Sequence, residues 1–319
     1  MTDPALIAKA IDLLRLGGLV ALPTETVYGL GADAENELAV RRVFAAKGRP
    51  SSHPLIVHLA DTRLAPSWAR ELPRSASQLA EAFWPGPLTM VLRRSGRAAD
   101  WITGGQDTVA LRVPAHPVMH QVLTAFGGGI AAPSANRFGR VSATTAEHVR
   151  ADLGDSVDLI LDDGPCPIGI ESTIVDLTSD TPSVLRPGAI SHAELERVLG
   201  RELSLRESGV RVPGLMQSHY APIAGVELVA AGELRRRAEE LLLSGQRVAV
   251  VATNPLGLPR EAVAFSMPAD VTDFARALYA TFREIDRKGF DVICVVPPPD
   301  SGLGSAIRDR LIRAASPRR

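Results

Sequence analysis

Cysteine, aromatic residues and surplus charge are all scarce in this chain, and each scarcity removes a class of function. Only Cys166 and Cys294 occur among the 319 residues. Two thiols are too few for a disulfide framework or a four-thiolate zinc site, so they read as buried thiols in a reducing compartment. Lys and Arg number 35 against 36 Asp and Glu, leaving a formal net charge of −1. A protein that grips long nucleic acid usually carries a basic excess. Any polyanion contact here must therefore be local, which suits a small phosphate ligand better than a duplex. Aromatic residues make up 4% of the chain, too few for the stacking platforms that hold single strands. No stretch approaches the roughly 20 apolar residues that span a bilayer. The N-terminal segment MTDPALIAKAIDLLRLGG carries Asp3 and Asp12 and no long apolar run. It reads as neither a signal peptide nor an anchor, and the expected location is the cytoplasm. There is also no G-x-x-x-x-G-K-[ST] segment for a P-loop.

What is present is an alternation of short apolar runs and helical periodicity. Ile7, Ile11 and Leu14 recur at helical spacing before Gly17 and Gly18. Leu19 to Leu22 reads as a buried strand that empties into PTETVYGLGA, read as a loop. Val40, Val43 and Phe44 mark a helix that delivers Lys47 and Arg49 at its exit. Strands are expected near 55–59, 88–92, 109–113, 130–132, 157–161 and 173–177, with Val184 and Leu185 as a further one. Thr144 with Glu147 and Ser191 with Glu194 look like capping boxes. From about 202 to 222 the periodicity lapses and Gly209, Pro213, Gly214 and Pro222 gather, the mark of a linker. That linker carries His219 and Tyr220 within SHYAP. Beyond it strand and helix patterns alternate again, over 226–229, 234–243, 248–251, 274–285, 292–296 and 307–312. The expected division is 1–203, a linker over 204–223 and a small, largely parallel α/β domain over 224–319. Gly302-x-Gly304 in the last domain could cradle an anion.

Five segments can carry chemistry. Thr24, Glu25, Thr26 and Tyr28 precede Gly29 and Gly31 just after a buried strand, where open α/β sheets hold ligands; the same threonines could simply bond their own turn. Lys47 and Arg49 in AAKGRPSSHPLIVHL form a rigid basic turn suited to phosphate, or a solvated helix end. In the strand that follows, Leu55, Val57 and Leu59 share one face, and Ile56 and His58 the other. Thr108 and Arg112 in DTVALRVP point the same way by alternation, and a cation inside an apolar strand requires an anionic partner. That partner is either a core carboxylate or a substrate anion. APSANRFGRVS offers Ser134, Asn136 and Ser142, with Arg137 and Arg140 among them, as backbone and hydroxyl donors. Glu171, Ser172 and Thr173 lead into a strand, and Arg186 sits before Pro-Gly at another strand end. Hydroxyls, a few histidines and cations at successive strand ends, with no metal-ligand cluster and no nucleophile–base pair, suit a nucleotide and a small polar metabolite held by position and charge.

The stretches LPTETVYGLGADA, KGRPSSHPLIVHL, WPGPLTMVL, DTVALRVPAHP, APSAN, GIESTIVDL and VLRPGAIS together resemble the YrdC/Sua-type threonylcarbamoyl-AMP synthase family. They run in the family's order over roughly residues 5–200, and SHYAP with the following domain resembles its two-domain branch. The resemblance implies an α/β fold: a YrdC-like twisted mixed sheet with helices around a concave site, plus a smaller Rossmann-like C-terminal domain. It implies a nucleotidyltransferase joining L-threonine, bicarbonate or CO2 and ATP into threonylcarbamoyl-AMP, with release of pyrophosphate. Mg2+ would enter with ATP, without a dedicated protein metal site. The product would pass to a separate tRNA threonylcarbamoyl transferase, with little direct nucleic-acid binding and no membrane partner. Carried over position by position, Thr26, His58, Arg112, Ala132 (through its backbone) and Ser172 resemble a threonine pocket. Arg49, His53, Thr108, Ser134, Asn136, Ser142 and Arg186 resemble an ATP pocket, with Tyr220 folding over the nucleotide. Lys47, Arg49 and His58 are the expected catalytic groups. His53 stands where relatives often carry Asn, and Gln217 and Ser218 where basic residues are common. An RNA-binding YrdC-like module and a carbamoyl-transfer enzyme with another acceptor are the alternative readings.

Overall fold

The structure is a computed structural model that describes residues 2–204, 209–216 and 218–317. Gln217 therefore lies outside the described residues. The chain divides into two compact units: residues 1–138, 142–167 and 171–215 form the first, and 139–141, 168–170 and 216–319 the second.

The first unit is built on a nine-stranded mixed sheet. Its strands are β1 (Val20–Leu22), β2 (Gly29–Asp33), β3 (Ile56–His58), β4 (Leu88–Arg93), β5 (Thr108–Arg112), β6 (Ile130–Ala131), β7 (Leu159–Ile160), β8 (Thr173–Asp176) and β9 (Ser183–Arg186). Their spatial order is β7-β1-β2-β6-β3-β5-β4-β8-β9. β3 runs parallel to β5, and β4 parallel to β8, while β4 and β5 are antiparallel. Alternation decides which side chains go where. Val57, Leu88, Met90, Leu92, Val109, Leu111, Val175 and Val184 enter one large core with helix residues Ala76, Leu79 and Leu195. Ile56, Val91, Ala110, Ile174 and Leu185 gather separately. One face of the central strands is thus spent on the main core. The other keeps a smaller apolar patch and leaves room for polar groups.

The helices stop where their termini can be satisfied. Ser191 and Glu194 form the expected reciprocal box at the start of His192–Leu199, which ends on Gly200 in the left-handed region. The other expected box is displaced by one residue. Thr145, not Thr144, caps Ala146–Leu153, its side chain accepting from the His148 amide, while Thr144 turns toward the His148 ring. A second difference is β2. Its residues GLGAD have little strand propensity, yet Gly29–Asp33 pairs with both β1 and β6. A Cβ at Gly31 would sit 2.8 Å from the Leu22 side chain and 3.0 Å from the Val20 carbonyl. The glycine that makes this segment look like a loop is what lets it pair so closely.

The second unit holds a four-stranded parallel sheet of β10 (Gly225–Leu228), β11 (Val248–Ala252), β12 (Val263–Ser266) and β13 (Val292–Val295), in the order β10-β13-β11-β12. The parallel α/β expectation holds. β12 is absent from the sequence pattern because it is an edge strand with mostly exposed side chains. Helices Leu234–Leu243, Val271–Lys288 and Leu303–Ala315 complete the unit. Gly304 is a packing glycine: a Cβ there would lie 2.0 Å from the Pro299 carbonyl. No helix among the described residues is long and apolar enough to cross a membrane.

Candidate functional site

His58 and Arg112 are direct neighbours across the β3–β5 pair, and Ile56 faces Ala110 one step earlier. Both polar side chains therefore stand on the face opposite the main core, and Thr108 shares it. All three are buried. Burial, reinforced by the Arg112 charge, pushes the His58 pKa down to about 3, so this imidazole is neutral at physiological pH.

Arg112 is held from three directions. Its Nη2 donates to Glu25 Oε1 at 2.6 Å, Nη1 to Thr26 Oγ1 at 3.0 Å, and Nε to the Gly86 carbonyl at 3.3 Å. The loop that supplies Glu25 and Thr26 is fixed by Thr24. Its hydroxyl donates to the Val27 carbonyl at 2.6 Å and accepts from the amides of Thr26 and Val27. Both sequence readings of this segment apply: Thr24 bonds its own turn, and Thr26, whose hydroxyl lies 2.9 Å from that of Thr24, also accepts from the cation. Glu25 was named with its segment in the sequence but given no role in either pocket. The need of Arg112 for an anion was legible, but which of 36 carboxylates would meet it was not. His116 is a second omission. It sits buried at the start of helix Pro117–Phe126 with Nε2 3.8 Å from Asp163. Burial holds its pKa down, opposed by the charges of Asp163 and Glu25.

Lys47 leaves its helix buried and turns its ammonium onto the APSAN loop. Nζ donates to the carbonyls of Ser134 and Asn136 at 2.5 and 2.6 Å. Burial and the nearby Arg49 charge hold its pKa well below the lysine range. Two of its three N–H bonds are thus spent on that loop. Ser134 bridges Gly29 at the start of β2, which ties this loop to the Thr24–Tyr28 loop. The Asn136 amide nitrogen donates to the Arg137 carbonyl. Arg49 donates to the Pro54 carbonyl at 2.7 Å, and its guanidinium carbon lies 5.8 Å from the Phe138 ring centre. The His53 ring meets the same phenyl edge-on at 5.3 Å. Burial, then the charges of Arg49 and Arg211, hold the His53 pKa down.

On the other side of Arg112, Ser172 Oγ lies 2.8 Å from Thr89 Oγ1 and accepts from Arg186 Nη2 at 3.1 Å. Arg186 also donates to the Ser172 and Pro213 carbonyls. Close approach here depends on Gly188, where a Cβ would stand 2.2 Å from the Thr173 amide nitrogen. Ser142 donates to Glu171 at 2.5 Å. The Ala132 amide is occupied by the Ile56 carbonyl. Tyr220 is described with the second unit. It is buried in the left-handed region at φ 60°, with its ring 6.0 Å from Tyr279 and 5.3 Å from the Arg310 guanidinium carbon. Among the described residues, no group of three or more His, Cys, Asp or Glu is placed to hold a metal ion.

The fold and these contacts define a class: a mixed α/β protein whose larger unit buries four cations, Arg112 and Arg186 at strand ends and Lys47 and Arg49 at a helix exit, with several hydroxyls, an arrangement suited to anionic small molecules. Comparison with known proteins narrows this. The family model Sua5_yciO_yrdC, described as "Telomere recombination", matches residues 12–188, and Sua5_C, described as "Threonylcarbamoyl-AMP synthase, C-terminal domain", matches 190–316. The chain is 41% identical to the threonylcarbamoyl-AMP synthase of Pyrococcus abyssi, covering 96% of this chain and 93% of that one. It is 38% identical to the Bacillus subtilis protein of the same name, over 99% and 95%. The crystal structure of P. abyssi Sua5 complexed with L-threonine superposes with a TM-score of 0.91 at 39% identity, over 97% of this chain and 94% of that one. The chain belongs to the Sua5/YciO/YrdC family, in its two-domain Sua5 form.

Proposed function

We propose that this chain is a threonylcarbamoyl-AMP synthase, forming its product and pyrophosphate from L-threonine, bicarbonate or CO2, and ATP for tRNA modification. The observation that carries the reading is a coincidence. Relatives named for this activity match along nearly the whole chain, and a buried guanidinium with spare donors stands beside a neutral imidazole and several hydroxyls. Arg112 has five N–H bonds, of which three have partners. The other two suit the α-carboxylate of threonine, with Thr26, His58 and Ser172 around the rest of the amino acid. Lys47, Arg49 and Arg186 suit the triphosphate. Departing pyrophosphate concentrates negative charge, so these cations act chiefly in the transition state. Ser134, Asn136, Ser142, Thr108 and His53 supply hydroxyl, amide and ring contacts to the nucleotide.

Mg2+ bound with ATP would supply further charge neutralisation on the phosphates. The donor set fits a metal carried by phosphate oxygens and water, since one oxygen of Glu25 is taken by Arg112 and one of Glu171 by Ser142, and no group of three or more His, Cys, Asp or Glu gathers among the described residues. We further propose a cytoplasmic setting and delivery of the adenylate to a separate transferase. The near-zero net charge disfavours an RNA-binding module as the main role. The test is to incubate purified protein with ATP, Mg2+, bicarbonate and threonine and to measure pyrophosphate. Release that depends on threonine supports the reading. Threonine-independent release, or none, overturns it.

A further inference from the structure

Glu25 carries a feature that the ion pair with Arg112 does not use. Its Oε1 accepts from Arg112, but Oε2 is buried with no hydrogen-bond partner among the described residues. A buried carboxylate oxygen left without a donor is costly, and native proteins seldom keep one without a use for it. His58 Nδ1 and His116 Nδ1 are buried and unpartnered as well. Each lies next to one member of the pair: His58 beside Arg112 in the β3–β5 register, and His116 in the field of Glu25. The pair therefore holds two guanidinium N–H bonds and one carboxylate oxygen that no described protein group uses. That is the complement of an α-amino acid zwitterion, whose carboxylate and ammonium are both bonded to one carbon.

We propose that Glu25 is a catalytic residue, receiving the α-ammonium of the bound amino acid on Oε2 and accepting the proton that must leave before its nitrogen can attack. This rests on the synthase reading above. The step balances as follows. The ammonium gives one proton to the Glu25 carboxylate, leaving a neutral amine and a carboxylic acid. The amine lone pair then forms an N–C bond to bicarbonate, and water leaves to give the carbamate. The ionisable groups around Glu25 are Arg112 on β5, His116 at the head of its helix, and Asp163 and Cys166 in the loop behind. His58 stands beyond Arg112 and stays neutral over the range concerned.

Glu25→Gln keeps the shape and an acceptor for Arg112 but cannot take a proton. Threonine-dependent pyrophosphate release should fall by about 10²–10⁴-fold near neutral pH, the usual contribution of a general base. The KM for ATP should stay within threefold. The loss should shrink as pH rises through the range in which the free amino acid's ammonium titrates, above that of a peptide terminus, because free amine then arrives already deprotonated. A purely structural role would leave the ratio of variant to wild-type rate flat with pH, and that result overturns the proposal. Activity within threefold of wild type at neutral pH overturns it too. Glu25→Asp serves if the amide variant does not fold. Its withdrawn oxygen should lower the rate and restore the same high-pH recovery, and an unchanged rate is a refutation. Wild-type protein run alongside separates the two claims, since absence of threonine-dependent pyrophosphate there overturns the synthase reading itself.

Discussion

Replacing Arg112 by methionine should damage the fold before any question of catalysis arises. The side chain is 5% exposed and that of its Glu25 partner 9%. Methionine fills much of the volume but leaves the Glu25 carboxylate buried with neither oxygen neutralised. Breaking a buried ion pair from one side costs about 3–5 kcal/mol, mostly for the charge left behind. The lost bonds to Thr26 and Gly86 fall within that figure, because both partners can be re-solvated in part. At about 2–4 °C per kcal/mol for a unit of this size, the thermal midpoint of the first unit should drop by roughly 6–20 °C. Glu25→Gln alone should cost less, since it leaves a hydrogen-bonded Arg112. The double variant Glu25→Gln/Arg112→Met should be more stable than the sum of the two losses requires, with a coupling of roughly 0.5–3 kcal/mol. Denaturation followed by fluorescence, with the three variants measured together, gives the cycle. Losses that add, or a single-variant loss below about 1 kcal/mol, would show that the pair is solvated and that the burial argument is wrong.

Three other outcomes follow from the same geometry. His58 titrates at about 3 when folded against about 6.5 unfolded. The unfolded chain thus binds the extra proton between those values, and stability should fall by about 1.4 kcal/mol per pH unit below 6.5; His58→Asn should flatten that slope, and an unchanged acid limb would contradict it. Lys47→Met removes two charge-assisted bonds to the Ser134–Asn136 loop, each worth about 1.5–3 kcal/mol. It should raise the KM for ATP and lower kcat while threonine affinity in a calorimeter holds, whereas a selective loss for threonine would refute the assignment. Gly188→Ala drives a methyl into the Thr173 amide and should lower both stability, by about 1–3 kcal/mol, and the affinity for both substrates. A wild-type melting curve would mean that β8 and the Arg186 turn are less tightly joined than described.

The amino-acid sequence by itself settled a good deal. Period-two alternation put Leu55, Val57 and Leu59 on one face and His58 on the other, and set Thr108 and Arg112 on a common side of β5, because side-chain direction in a strand is a local property. Ser191 and Glu194 announced their box for the same reason, and the motifs carried the family. The sequence was less sure where geometry depends on a neighbour. GLGAD became strand only because β1 and β6 lie on either side of it, and β12 only because β11 offers an edge. Thr145 displaced Thr144 as a cap once the His148 ring claimed the latter. Above all, only the folded chain could choose Glu25 as the anion for Arg112 and leave its second oxygen without a donor. Charge pairing across 87 residues is set by the packing of loops on a sheet, and no local pattern in the chain encodes it.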